Sequence, residues 1–176
     1  NSLLGYARHQ PVGTTLLDAR TSVASCLPLI APLLREKRVD VDLRIAAGDA
    51  MVMGNGSQLA QATMNVLLNA IHASPTGSHV TVWNTRDDHR VGIHFQDQGT
   101  GIPRQNLHLV CDPFFTTKAE GQGTGLGLSV TQGIVQSHGG ELAITSEEGL
   151  GTTVTFWLPS SGHLHTVLSG EFSEEA

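Results

Sequence analysis

Between Gly121 and Gly140 the chain reads Gly-Gln-Gly-Thr-Gly-Leu-Gly-Leu-Ser-Val-Thr-Gln-Gly-Ile-Val-Gln-Ser-His-Gly-Gly, with glycine at 121, 123, 125 and 127 running straight into a segment of helical composition. Glycines at this density cost backbone entropy and bury no side chain, so they imply a backbone that something must approach closely. A loop whose N–H groups turn inward and hand over to a helix N-terminus is such a backbone, and it makes an anion site. No acidic residue falls between Gly121 and Gly140, and Lys118 lies just upstream. A flexible linker is the alternative, but a linker does not flow into a helix that closes on Gly139-Gly140, a helix-stop signal.

The frame around this stretch is that of one α/β domain. A length of 176 residues with 39% apolar content can bury a real core and argues against disorder. No apolar run approaches the roughly 18 residues that span a bilayer, and no signal peptide opens the chain, so a cytoplasmic location is expected. Cys26 and Cys111 have no metal or redox spacing and read as reduced thiols. A net charge of −6 argues against nucleic acid as a partner. The nine histidines are scattered singly, without zinc-site spacing.

Residues 1–8 resemble the last turns of a helix, which Pro11 and Gly13 break, so residues 1–13 are set apart from a domain over 14–160 and a polar tail over 161–176. Thr14 to Asp18 and Met51 to Met53 read as short strands. From Asp18 to Lys37 a helical stripe of Val23, Leu27, Ile30, Leu33 and Leu34 is interrupted by Pro28 and Pro32. Val39, Val41, Leu43 and Ile45 alternate with charged residues, as in a half-buried strand.

Asn55 to Ser74 is the most informative helix. At 100° per residue Gln58, Gln61, Asn65, Asn69 and His72 fall in one narrow stripe, and nearly all other positions are apolar. A buried helix with a stripe of uncharged amides is expected to line a polar pocket; amides capping buried backbone are the alternative. Two strands follow, His79 to Thr85 and Arg90 to Asp97, joined by Arg86-Asp87-Asp88-His89. Val91, Ile93, Phe95 and Asp97 share one parity, so a carboxylate ends an inward-facing row and requires a partner there. Gln98-Gly99-Thr100-Gly101-Ile102 then lets the backbone bend away and leaves Asp97 facing a cavity, unless Asp97 only caps the turn. Pro103 to Val110 reads as a short helix. The aperiodic stretch Asp112 to Glu120 reads as a lid. Strands Glu141 to Ser146 and Thr152 to Pro159 close the domain, and Thr152 shares the inward parity of Val154, Phe156 and Leu158.

Taken together, Asn65-x-x-x-Asn69-Ala-x-x-Ala73, Asp97-x-Gly99-x-Gly101, Pro113-Phe-Phe-Thr-Thr-Lys118, Gly123-Thr-Gly-Leu-Gly-Leu128 and Gly149-x-Gly-Thr152 stand in the order seen in sensor histidine kinases. The chain resembles their ATP-binding catalytic domain, of the gyrase/chaperone/histidine-kinase ATPase superfamily. That resemblance implies an α/β (α+β) two-layer sandwich of the Bergerat type, a mixed β-sheet packed against three helices. It implies ATP and Mg²⁺ as ligands and transfer of the γ-phosphoryl group to a histidine. Asp97 would accept from the exocyclic amine of adenine, with Gly99, Gly101 and Ile102 lining the base and Thr152 assisting through water. Asn69 would ligate Mg²⁺, Asn65 and Lys118 would be the catalytic residues with Lys118 reaching the phosphates, Thr117 would bind beside it in the lid, and Gly123, Thr124, Gly125, Leu126, Gly127 and Leu128 would wrap the phosphates. Many relatives carry lysine where this chain has His72, so a phosphate contact there is expected to depend on pH.

The resemblance also implies partners. The phosphoacceptor motif His-Glu/Asp-x-x-x-Pro is not found, since His9-Gln10-Pro11 has the wrong spacing. Residues 1–10 are similar to the end of the second helix of a histidine-bearing dimerisation hairpin of the nitrogen-regulator type. That hairpin, a response regulator and a homodimeric parent are therefore the expected partners. Two rivals from the same superfamily remain, an ATP-hydrolysing enzyme and an anti-sigma-factor-type serine kinase; a degenerate interaction module is a third. Hydrolysing members place a glutamate base where this chain has Asn65.

Overall fold

The computed structural model describes residues 13–118 and 123–161. The expected helix end over residues 1–8, part of the lid, Gly121 and most of the polar tail lie outside these residues. Among the described residues a five-stranded mixed sheet packs on three helices, as the α/β sandwich reading requires. The strands are β1 (Thr15–Asp18), β2 (Asp40–Arg44), β3 (Met51–Gly54), β4 (His79–Arg86), β5 (Arg90–Gln96), β6 (Glu141–Glu147) and β7 (Gly151–Pro159). The helices are α1 (Ala19–Lys37), α2 (Gly56–Ala73) and α3 (Gly127–Ser137). The main sheet runs β2-β4-β5-β7-β6, with β2 parallel to β4 and the other pairs antiparallel. β1 and β3 form a separate antiparallel pair.

Helix α1 is continuous through Pro28 and Pro32. A proline removes an N–H and pushes on the carbonyl four residues back. Both prolines lie on the exposed face, where water can satisfy the freed carbonyls. The opposite face buries Val23, Cys26 and Ile30. Asp18 caps the helix by accepting from the Arg20 N–H at 3.0 Å, which satisfies one of the orphan donors of its first turn.

Helix α2 lies between α1 and α3 and contacts the sheet. Its Leu59, Val66, Leu67 and Ile71 join Val80, Val82, Ile93 and Phe95 in the core. Each such side chain stabilises the fold by roughly 1.5–3 kcal/mol relative to exposure. The row Val91, Ile93, Phe95 does face the helices. The reverse face of the sheet is also covered at its centre: His94 stacks on Trp83 with ring centroids 4.8 Å apart and meets Trp157 edge-on at 5.6 Å.

One expected element is corrected. Residues Pro103 to Val110 do not form a helix; only Arg104–Asn106 makes a 3₁₀ turn. Successive three-residue closures follow it, Leu109 N–H to Asn106 O at 2.9 Å and Asp112 N–H to Leu109 O at 2.8 Å. Pro103 supplies no side-chain cap, and none of residues 103–112 is fully buried. Neither capping nor burial therefore favours a full α-helical turn over tighter closures.

Candidate functional site

The C-terminal half of α2 is the scaffold on which the other candidate residues assemble. Asn65 Nδ2 donates to Gly127 O at 3.1 Å and to Thr131 Oγ1 at 3.4 Å, fastening the first turn of α3 to α2. One turn on, Asn69 Oδ1 accepts from Lys118 Nζ at 3.4 Å, so the segment that ends at Lys118 meets the same helix face. A Cβ on Gly127 would stand 3.7 Å from Asn69 Nδ2, which places the end of the glycine loop against both asparagines. Another turn on, the carbonyl of Ala73 would lie 2.5 Å from a Cβ on Gly99. Only glycine permits the turn after β5 to reach α2 there.

That turn is built around Asp97, only 6% exposed. Its Oδ1 accepts from Gly99 N–H at 2.8 Å and from Thr152 N–H at 3.1 Å, while its own N–H donates to Thr152 O at 2.9 Å. Oδ1 is thus saturated. Oδ2 has no protein donor among the described residues, yet it is not sealed from solvent. Burial pushes the carboxyl above its ordinary pKa, and the Gly99 and Thr152 N–H groups pull it part of the way back. A carboxylate oxygen with no protein donor, on a residue this buried yet open at that atom, can take a donor from a ligand. Asp97 does act as a turn cap through Oδ1, as the alternative reading holds, but that use leaves the second oxygen over.

The neighbouring backbone is equally constrained. Gly151, at φ 111°, would set a Cβ 2.2 Å from Asp97 O, and Gly101, at φ 69°, would set one 2.1 Å from Glu147 O. Gly149 N–H donates to Thr100 O at 2.7 Å, which locks the Asp97 turn to the β6–β7 turn. Ile102 N–H donates to Ser146 Oγ at 2.8 Å. Thr152 Oγ1 lies 2.9 Å from the same Ser146 Oγ. Ser146 was not among the candidates. Its inward parity with Leu142 and Ile144 was visible, but its pairing with Thr152 depends on register.

The glycine loop is pinned to the preceding irregular segment by Phe114, whose N–H donates to Gly125 O at 2.9 Å. Gly125 has φ 66°, and a Cβ there would meet Phe114 C at 2.4 Å. Phe114 itself has φ 68° and is 75% exposed, a strained backbone of the kind that collects at functional sites. Gly123 rests on Thr116 and Lys118, and Thr124 Oγ1 accepts from Leu126 N–H at 3.4 Å. Thr117 is exposed. Leu126 begins α3 without a side-chain cap, so the helix N-terminus keeps orphan N–H groups. Leu128 instead packs against the core. Of the amide stripe, Gln61 and His72 reach solvent, while Gln58 Oε1 is buried without a partner among the described residues.

The cations Lys118 and Lys37 act on the outer end of the α2 stripe at His72. The pKa of His72 is lowered by burial first, then by the charges of Lys118 and Lys37, against Glu36 and the Leu68 backbone. For the implied ligands the residues fit. Asp97 Oδ2 lacks a protein donor among the described residues, the N-terminus of α3 has no side-chain cap, and Asn69 presents a neutral oxygen suited to a magnesium ion that keeps most of its shell from water and phosphate. Among the described residues no helix is long and apolar enough to cross a membrane.

Comparison with known proteins identifies the family and the fold. The family model described as histidine kinase-, DNA gyrase B-, and HSP90-like ATPase matches residues 54–162. Sensor histidine kinase ZraS of Escherichia coli K12 is 34% identical over 161 residues, covering 90% of this chain and 34% of ZraS. The chain thus spans about a third of that relative's length. The mycobacterial sensor histidine kinase MprB superposes with a TM-score of 0.72 at 30% identity, covering 83% of this chain and 97% of the solved one. A nucleotide-free catalytic domain of histidine kinase ThkA gives a TM-score of 0.75 at 25% identity, covering 85% of this chain and 97% of the solved one. With a family model that spans the asparagine helix, the Asp97 turn and the glycine loop, the chain belongs to the histidine kinase-, DNA gyrase B- and HSP90-like ATPase family.

Proposed function

We propose that this chain is the ATP-binding catalytic domain, residues 14–160, of a two-component histidine kinase, and that it donates the γ-phosphoryl group of Mg-ATP to a histidine on a separate helical dimerisation domain. The observation that carries this reading is Asp97, with Oδ1 saturated by two backbone donors and Oδ2 left for a ligand N–H. The exocyclic amine of adenine supplies that donor. Gly99, Gly101 and Ile102 then border the base, and the triphosphate extends along α2 toward Asn69, Lys118 and the N-terminus of α3.

Each residue acts by position or charge. Asn69 Oδ1 would hold Mg²⁺, which when bound neutralises phosphate charge. Lys118, now 3.4 Å from that oxygen, is within reach of the same phosphates. The N–H groups of Gly123 to Leu128 and the dipole of α3 favour the anion. Asn65 spends its amide N–H on Gly127 and Thr131, and an amide cannot take a proton from water. Direct hydrolysis is therefore disfavoured relative to transfer to an imidazole, which is nucleophilic when neutral. The acceptor hairpin, a response regulator and dimerisation belong to the parent protein, on the cytoplasmic side where ATP is available.

The test is calorimetric titration of the chain with Mg-ATP, beside Asp97→Ala. Loss of a buried, charged hydrogen-bond acceptor should weaken binding by about five- to 150-fold, or roughly 1–3 kcal/mol. Unchanged affinity in a folded Asp97→Ala protein would remove the adenine assignment.

A further inference from the structure

Ser146 makes three close polar contacts with a single proton to give. Ile102 N–H donates to its Oγ at 2.8 Å, Gly151 O lies 2.9 Å away, and Thr152 Oγ1 also lies 2.9 Å away. Ile102 N–H can only donate and Gly151 O can only accept. If Ser146 gave its proton to Thr152, two bare oxygens would face each other at the Gly151 contact. All three contacts become hydrogen bonds in one arrangement only. Ser146 donates to Gly151 O and accepts from both Ile102 N–H and the Thr152 hydroxyl.

The consequence falls on Thr152. Its one hydroxyl proton is committed to Ser146, so toward any other group it presents lone pairs alone. Thr152 is also the residue whose N–H and C=O clasp Asp97. The carboxylate that this backbone holds by Oδ1 keeps Oδ2 as an acceptor with no protein donor among the described residues. We propose that Ser146 is a specificity-determining positioning residue: by holding Thr152 as an acceptor, it makes the polar end of the Asp97 cavity accept only, which selects a purine with a 6-amino group over its 6-oxo counterpart. This rests on the nucleotide-binding reading above. A 6-oxo purine brings a carbonyl oxygen to this end of the site, where neither Asp97 Oδ2 nor the Thr152 hydroxyl, directly or toward a bridging water, has a proton to give. A site built for an N–H discriminates strongly, because the mismatched polar groups are left unpaired.

The experiment titrates the 176-residue chain with Mg-ATP and with Mg-ITP, the same nucleotide carrying oxygen for the amino group. Wild type should favour ATP by tenfold or more, on the order expected for a polar mismatch. Ser146→Ala frees the Thr152 hydroxyl to rotate and donate, so the ATP/ITP ratio should narrow by about fivefold or more, whatever happens to absolute affinity. In a Thr152→Val background the Ser146→Ala change should leave the ratio where it was, as a double-mutant cycle requires if Ser146 acts through Thr152. Circular dichroism and thermal unfolding establish that the variants fold. If Ser146→Ala does not fold, Thr152→Val alone decides: the ratio should narrow, and an unchanged ratio overturns the proposal. Equal losses for both nucleotides in folded Ser146→Ala also overturn it and leave the nucleotide reading standing, as would a wild type that does not discriminate. A wild type that binds neither nucleotide overturns both readings together.

Discussion

The backbone N–H of Asn55 donates to Nε2 of His138 at 3.0 Å, joining the N-cap of α2 to the C-cap of α3. Because Nε2 accepts, the ring proton sits on Nδ1, which donates to Ile134 O at 2.7 Å. Helices α2 and α3 are thereby held together by one neutral, buried imidazole. A Cβ on Gly54 would lie 2.8 Å from its Cδ2, so Gly54 is what makes room for the ring.

This predicts an acid-labile fold. Burial lowers the pKa of His138, against the raising effect of the Ile134 hydrogen bond, and burial lowers that of His94 as well. The unfolded chain, with histidines near 6.5, then binds more protons than the folded one as pH falls. Stability is full above about pH 7 and declines through and below pH 6.5, at up to about 1.4 kcal/mol per pH unit for each histidine. Urea unfolding at pH 7.5 and 5.5 checks it, and His138→Gln should show a shallower decline. Equal slopes in the two proteins would place the acid sensitivity elsewhere.

Asn69→Ala should lose the magnesium dependence of nucleotide affinity while adenosine binding survives. Asn69 Oδ1 is contacted by Lys118 alone among the described residues, and the variant removes no core contact. Titrations with ATP, with and without Mg²⁺, give the answer. A variant that responds to Mg²⁺ as wild type does would move the metal to another ligand.

Two glycine substitutions should act in opposite directions. Gly133 lies inside α3 with nothing within 4 Å of an added Cβ, so Gly133→Ala should stabilise by about 0.5–1 kcal/mol. Gly99→Ala would drive a Cβ into Ala73 O at 2.5 Å. It should cost about 1–3 kcal/mol and weaken nucleotide binding, since the Asp97 turn must shift. Thermal unfolding ranks the two. A stabilised Gly99→Ala would show that the turn does not press on α2.

Transfer of the phosphoryl group should require a second component. The chain alone is expected to show negligible self-phosphorylation and very slow ATP turnover, because Asn65 cannot act as a base. Adding a cognate histidine-bearing hairpin should yield acid-labile label from radioactive ATP. Acid-stable label on a partner's serine would favour the serine-kinase reading, and brisk hydrolysis by the chain alone would favour the ATPase one.

Much of this site was legible because its constraints are local. Gly123, Gly125 and Gly127 announce close backbone approach within a few residues of chain, and the spacing of Asn65 and Asn69 places both amides on one helix face before any packing is known. The parity of Val91, Ile93, Phe95 and Asp97 likewise puts a carboxylate at the end of a buried row. What the chain could not show by itself depends on partners distant in sequence. That α1 runs through Pro28 and Pro32 was decided by both prolines falling on its solvent side. That Pro103 to Val110 is not a helix was decided by the lack of a cap and of burial. Ser146 acquires its role only when the β6–β7 register sets it opposite Thr152 and the Asp97 turn brings Ile102 to it. His138 acquires its role only when β3 ends in a glycine beneath its ring and α2 begins beside it. Periodicity and glycine spacing act along the chain, whereas hydrogen bonds between residues 44 or 83 positions apart exist only once the sheet and helices have packed.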